Sequence, residues 1–359
     1  MMASQVTEQV AVASGTILDR STLHSLLLAL AGRVADDQLA AMRMCLADGE
    51  TSEVATLLAG AISVGGLPLG DAEVALVRTL LAEHEMDIGI ADRAQRVASL
   101  GPVPYRFAGQ SGGLRAADPA ALPTAPSPET TDALDASAVE AGERVGGLRA
   151  LWRAFRYSRD GLARRVYVGE ADPSADVLEL VAEIQHALGE AGERTPRVEV
   201  FAEGTELTPY HEAALDAAVL VWAVAEAPMR LARVFDGADP DHGPFFDPDH
   251  PRLDGPDAER ILAYLRAGEP VLNTPGAMDD VLDVHRPAAV PVGFRSDGRW
   301  VWPEAVSYYL ERHHLAPDPA LAAHTLTASS PPPLSRLARH RALTTLFAPT
   351  GTEPVWQSR

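Results

Sequence analysis

Over the first hundred residues, apolar and polar positions recur with a helical period. Leu23, Leu26, Leu27, Leu30 and Val34 fall on one stripe, with Ser21 as the expected N-cap. A second helix is predicted from Asp37 to Ala47, stopped by Asp48-Gly49. A third begins after Thr51, carries Val54, Leu57, Leu58 and Ile62, and ends at Gly65-Gly66. The fourth starts near Asp71 with Val74, Val77, Leu80 and Leu81. Four short helices joined by Gly-containing turns predict a small helical bundle over residues 21–107, behind a disordered tail at 1–20.

The pattern then lapses. Residues 108–140 are rich in Ala, Pro, Ser, Thr and Gly, too poor in apolar side chains to offset the entropy of ordering, and predict a flexible linker. Beyond it, Leu148 to Arg165 reads as an amphipathic helix. Arg149, Arg153 and Arg156 lie at i, i+4, i+7, opposite Leu148, Leu151, Trp152 and Phe155. Arg165–Glu170 and Arg197–Phe201 alternate as strands do, and Ala217–Val224 is continuously apolar, as a strand covered on both faces would be. A helix from Asp172-Pro173 and a shorter one opened by Thr208-Pro209 separate them. This β-α-β-α-β order predicts a short parallel sheet of three strands.

Gly255-Pro256 opens another helix, Pro270-Val271-Leu272 is a short strand, and Met278 to Leu282 a turn of helix. Asp297-Gly298 then sits between two apolar runs and predicts a type I′ hairpin, because Asp-Gly accepts φ > 0 at both central positions. That register sets Arg295 opposite Trp300, close enough for a cation–π contact. It puts Val292, Phe294 and Val301 on one face and Trp300 and Trp302 on the other. Both faces then need cover, from this chain or from another copy of it. Pro303 and Glu304 start a helix whose buried face is Val306, Tyr309, Leu310 and His313. The expected architecture is α/β with an α+β tail: bundle, linker, an α/β domain over 141–328 carrying the parallel sheet and the hairpin–helix, and a C-terminal extension over 329–359.

Charge narrows the function. The 359 residues carry a formal net charge of −20. Such a surface repels nucleic-acid phosphates and anionic membranes. There is no lysine, so all 30 basic residues are arginine and no Walker motif exists. The single cysteine, Cys45, excludes an intramolecular disulfide and a cysteine-based zinc site, and reads as a helix core residue. The N-terminal stretch lacks the charged and apolar regions of a secretory signal, and no apolar run is long enough to span a membrane, so the expected location is cytoplasmic.

Three places bear candidate chemistry. Arg149, Arg153 and Arg156, with Trp152 able to stack, form the one basic cluster, either an anion site or a set of arginines paired with the chain's own acids. Arg295, Trp300, Trp302 and Glu304 on the hairpin–helix are either a ligand cradle or core packing. In Phe235–Asp254 the tetrapeptide Asp-Pro-Asp-His occurs twice, and Asp241, His242, Asp249 and His250 are the candidate metal ligands in an otherwise ordinary turn-rich loop. No cofactor is expected.

The run FRSDGRWVWPEAVSYYLERHHLAPDPALAAH, and with it the region from Leu148 to His324, resembles a group of uncharacterised actinobacterial proteins, some encoded beside polymorphic toxin and immunity genes. The resemblance implies a scaffold more than a chemistry. The leading expectation is therefore a non-enzymatic adaptor, immunity-like protein or assembly subunit that binds a protein partner or itself through the α/β domain. The alternative is a hydrolase or nucleotide-processing enzyme. It would work at the carboxyl end of the sheet, or through a metal in the Asp239–His250 loop, with His242 or His250 turned toward Glu170 or Asp172.

Overall fold

The computed structural model describes residues 18–99, 101, 103–109, 131–158 and 161–348. Its first four helices are α1 (Arg20–Ala29), α2 (Asp36–Ala47), α3 (Thr51–Gly65) and α4 (Asp71–Glu83), close to the predicted limits. Asp19, not Ser21, caps α1 by accepting the Thr22 N–H at 2.7 Å. Gly66 ends α3 in the left-handed conformation, φ +58°. Their leucines and valines form one apolar core that also takes in Leu178 and Tyr210 from the following layer.

That layer is a five-stranded mixed sheet, so the α/β assignment holds. Its elements are β1 (Arg106–Ala108), α5 (Ala133–Val145), β2 (Leu148–Tyr157), β3 (Ala163–Ala171), α6 (Val177–Glu190), β4 (Val198–Ala202), α7 (Pro209–Ala217) and β5 (Val219–Ala223). Three expectations change here. The arginine segment is not a helix but the long strand β2. The parallel sheet shrinks to the pair β3–β4, because β5 pairs antiparallel with β2. Lastly, residues 133–140 of the predicted linker belong to α5, which buries Ala138 and Ala141 against α6; residues 110–130 lie outside the described residues.

β2 pairs with β3 along one edge and shares its other edge between β5 and β1. β4 ends the sheet, and an uncovered edge strand invites mispairing. The bundle covers it: His24 on α1 donates to the Val200 carbonyl at 2.8 Å, and Gln185 on α6 donates to the Ala40 carbonyl of α2 at 3.1 Å.

The rest of the chain builds a second layer from β6 (Arg230–Leu231), α8 (Gly255–Ala267), β7 (Glu269–Leu272), β8 (Phe294–Ser296), β9 (Trp300–Pro303), α9 (Glu304–His313), α10 (Pro319–Thr327) and α11 (Arg336–Phe347). The sheet order is β7-β8-β9-β6. The hairpin forms, with a different register. Arg295 faces Trp302 and Ser296 faces Val301, two residues beyond the predicted pairing, so the two faces keep their composition. Only Gly298 takes a left-handed φ, +86°, so the turn is not type I′. A wider loop is stitched by the Asp297 carboxylate, which accepts the N–H groups of Arg299 (2.9 Å) and Trp300 (2.8 Å).

Both faces are covered from within. Trp300 and Trp302 pack on Ile261, Leu265, Val306, Leu310 and Leu321, while Val301 and Val271 pack on Ala342 of α11. The argument for self-association from uncovered tryptophans therefore falls. Within the C-terminal extension, α11 docks back onto the molecule; residues 349–359 lie outside the described residues, as do 1–17 of the predicted tail.

Candidate functional site

The arginines of the basic cluster pair with carboxylates of the same chain. On one face of β2, buried Arg153 pairs with Asp135 of α5, and that carboxylate also accepts the Tyr167 hydroxyl at 2.7 Å and Arg165 at 3.3 Å. On the other, Arg156 reaches Asp36 of α2 at 2.6 Å and lies 4.5 Å from the Tyr105 ring centre. Arg197 shares the same Asp36 at 2.6 Å. Trp152 is buried between Ala150 and Leu220. Burial alone would raise the Asp36 carboxyl, but the two guanidinium partners outweigh it and hold it below the ordinary range.

The carboxyl end of the sheet is likewise filled. Arg149 pairs with Glu203 (3.4 Å) and Glu226 (2.5 Å), so the acidic strand ends receive the chain's own arginine. Arg341 of α11 also binds Glu226. Glu170, at the end of β3, is buried and accepts the Arg336 and Leu337 N–H groups at 2.9 and 2.8 Å, at the positive end of the α11 dipole. Burial pushes its carboxyl up despite those two bonds. The place where an open α/β sheet takes a ligand is occupied by a helix of the same chain.

The Asp-Pro-Asp-His loop does not assemble a metal site. His242 is exposed and binds Asp239 at 2.9 Å. His250 spends Nδ1 on Asp236 (2.8 Å) and Nε2 on the Ala316 carbonyl (3.0 Å), and neither histidine turns toward Glu170 or Asp172. Asp241 and Asp249 point to solvent. Among the described residues no group of three or more His, Cys, Asp or Glu is arranged to hold a metal ion. On the hairpin, Trp302 is fully buried with Nε1 donating to the Leu265 carbonyl at 3.2 Å, and Arg230, not Arg295, lies over Trp300, at 4.3 Å. Arg295 pairs with Glu304 at 2.7 Å and donates to the Arg266 and Gly268 carbonyls, closing the end of α8.

A further buried group joins bundle to sheet. Glu199 on β4 binds Arg43 of α2 and accepts from His211 Nε2 at 3.2 Å, while His211 Nδ1 meets the Thr208 hydroxyl at 2.8 Å. Burial works against the Glu199 charge, and Arg43 with His211 overcomes it, leaving the carboxyl below its ordinary range. His24 beside them is lowered from 6.5 to about 4, chiefly by burial.

What remains unspent is apolar. The loop between the short paired strands Ala277–Met278 and Val290–Pro291 is not the predicted turn of helix. It exposes Val281, Leu282 and Val284 within four positions, Val284 at 87%. The loop is nonetheless tightly braced. Asp280, buried beneath it, accepts His313 Nε2 at 2.6 Å, the Tyr308 hydroxyl at 2.9 Å and the Leu282 N–H at 2.9 Å. Asp279 accepts the Ala288 N–H at 2.8 Å, and Asp283 pairs with Arg286 at 3.2 Å. Its braces come from α9, which is how the hairpin–helix presents it. The only trace in the sequence is Val-Leu-Asp-Val after Asp279-Asp280, which also suits a short helix.

No protein-family model, curated protein or solved structure matches this chain. Among the described residues, no helix is long and apolar enough to cross a membrane.

Proposed function

We propose that this protein is a binding partner and not a catalyst: an acidic scaffold that docks a basic protein through the loop at 279–289. The observation that carries the reading is the loop itself, three apolar side chains held in solvent by a buried aspartate. A braced loop loses little freedom on binding, and exposed apolar side chains ringed by acids form the core and rim of a protein-binding patch. Asp279 and Asp283 flank them, Asp283 with Arg286 as its counter-ion, and the chain's net charge of −20 steers a cationic partner toward the loop. The filling of the sheet's carboxyl end by α11, and the internal engagement of His250, speak against the hydrolase alternative. An adaptor, immunity-like or assembly role in the cytoplasm, where Cys45 stays reduced, accords with this reading.

The test is site-specific photocrosslinking in cells that produce the protein, with the probe at position 284 and, as control, at the equally exposed Val64. We expect one basic protein crosslinked from position 284 and absent from position 64, captured less as salt rises. Val284→Asp with Leu282→Asp abolishes the capture while the fold survives. Equal capture from both positions, or an acidic partner, defeats the reading.

A further inference from the structure

We propose that the cavity between the helical bundle and the start of α7 binds a small, flat, uncharged molecule carrying one carbonyl-type oxygen. The inference stands apart from the docking loop, which lies in the other layer of the molecule.

The cavity measures about 320 Å³. Well-packed interiors leave few voids larger than a water molecule, whereas small-molecule sites begin near this size. Four separate pieces of chain form its wall: Ala29 at the end of α1 with the turn after it to Arg33, Pro68, Val97 with Gly101 and Val103–Tyr105, and Thr208 to Tyr210 at the start of α7. Polar clamps fix these pieces in place. Tyr105 donates its hydroxyl to the Gly32 carbonyl at 2.9 Å, and its ring stands edge-on to Tyr210 with centres 6.1 Å apart. Arg33 is locked by a two-pronged bond to Glu73, at 2.9 and 2.8 Å. Gly32 has φ +74°, and a Cβ there would fall 2.6 Å from the Tyr210 ring, so only glycine permits this approach.

The lining decides the ligand's chemistry. Tyr105, Tyr210, Pro68 and Pro209 offer flat apolar faces, which suit a ring. The charges nearest the wall are already balanced, Arg33 by Glu73 and Arg156 by Asp36, which leaves the buried Arg33 Nε as a donor without an acceptor. A second set of donors lies at α7. The α7 helix begins at Pro209, and its Thr208 cap makes no side-chain bond to the first turn, since that hydroxyl is turned to His211. Pro209 has no N–H, so the donors of this first turn are those of Tyr210 and His211, and such helix-start N–H groups favour an oxygen acceptor. A carbonyl on an otherwise apolar ring meets all three conditions, whereas a carboxylate would give up its hydration beside arginines that already have counter-ions.

Acetophenone, benzoate and benzylamine serve as probes for the full chain, read by ligand-observed NMR and by melting temperature. We expect acetophenone to bind and raise the Tm, and the two charged probes to do neither. Ala29→Leu fills the cavity from α1 and Val97→Phe fills it from the opposite wall. Each should weaken acetophenone binding by about tenfold or more while leaving the Tm unchanged or higher, because a filled void gains contacts. If one filler prevents folding, the other decides. Failure of acetophenone to bind the unmodified chain overturns the proposal, as does binding that survives both fillers or that benzylamine matches. Val284→Asp leaves acetophenone binding intact, so loss of the docking reading and loss of this one are separable.

Discussion

The strand β2 and the loop at 279–289 invert the usual distribution of side chains in opposite ways. β2 buries Arg153 and Arg156 inside the molecule, and the loop holds Val281, Leu282 and Val284 outside it. Buried charges and clustered exposed apolar groups are both departures that call for an explanation. In β2 the explanation is internal: each buried guanidinium meets a carboxylate from a neighbouring helix. In the loop nothing among the described residues covers the apolar side chains, although Asp280 fixes the backbone in place. Buried polar groups here report how the layers are joined, and the exposed apolar ones are the basis of the proposed docking site.

The contrast can be broken most forcefully at Asp135. Asp135→Ala leaves Arg153 buried without its carboxylate, and the stability measured by urea unfolding should fall by about 3–5 kcal/mol. The bundle–sheet junction gives the next effect, through pH. His24 is neutral when folded, and the unfolded chain takes up a proton below about 6.5. The folded state therefore loses stability from pH 6.5 down to about 4, by about 3 kcal/mol, and no further from this group. His24→Gln keeps the donor to Val200 and removes that component, which unfolding curves across the same pH range will show. Glu170→Ala frees the first turn of α11. We expect a loss of about 1–2 kcal/mol and faster amide exchange confined to 336–347. At the smallest end, Val284→Asp should change stability by less than about 0.5 kcal/mol while removing the crosslinked partner.

How much of this was legible in the sequence depended on whether polar side chains stayed at the surface. The four bundle helices and α9 were readable because their leucines recur at helical spacing and their ends carry Gly66 or Pro303. β2 was not. Its arginines are paired on both faces of the sheet, so they broke the two-residue alternation and imitated a helix stripe. The partner of β5 was equally hidden, since a wholly apolar strand says nothing about which neighbour it takes. Asp297-Gly298 announced the hairpin, but its register came from the Asp297 carboxylate binding two amides further along. Of the candidate site residues, those on β2 and the hairpin are engaged within the fold. The loop and the cavity are built by residues distant in sequence, and no local spacing joins Asp280 to His313 or Gly32 to Tyr210.

The placement of α11 bears on how the protein comes into being. Leu337 rests on Trp152 and Leu220 of one sheet, and Ala342 on Val271 and Val301 of the other. Neither layer can shed its last water until Arg336–Phe347 has left the ribosome. The bundle completes its core only with Leu178 and Tyr210, and the seam between the two sheets closes only once α11 is in place.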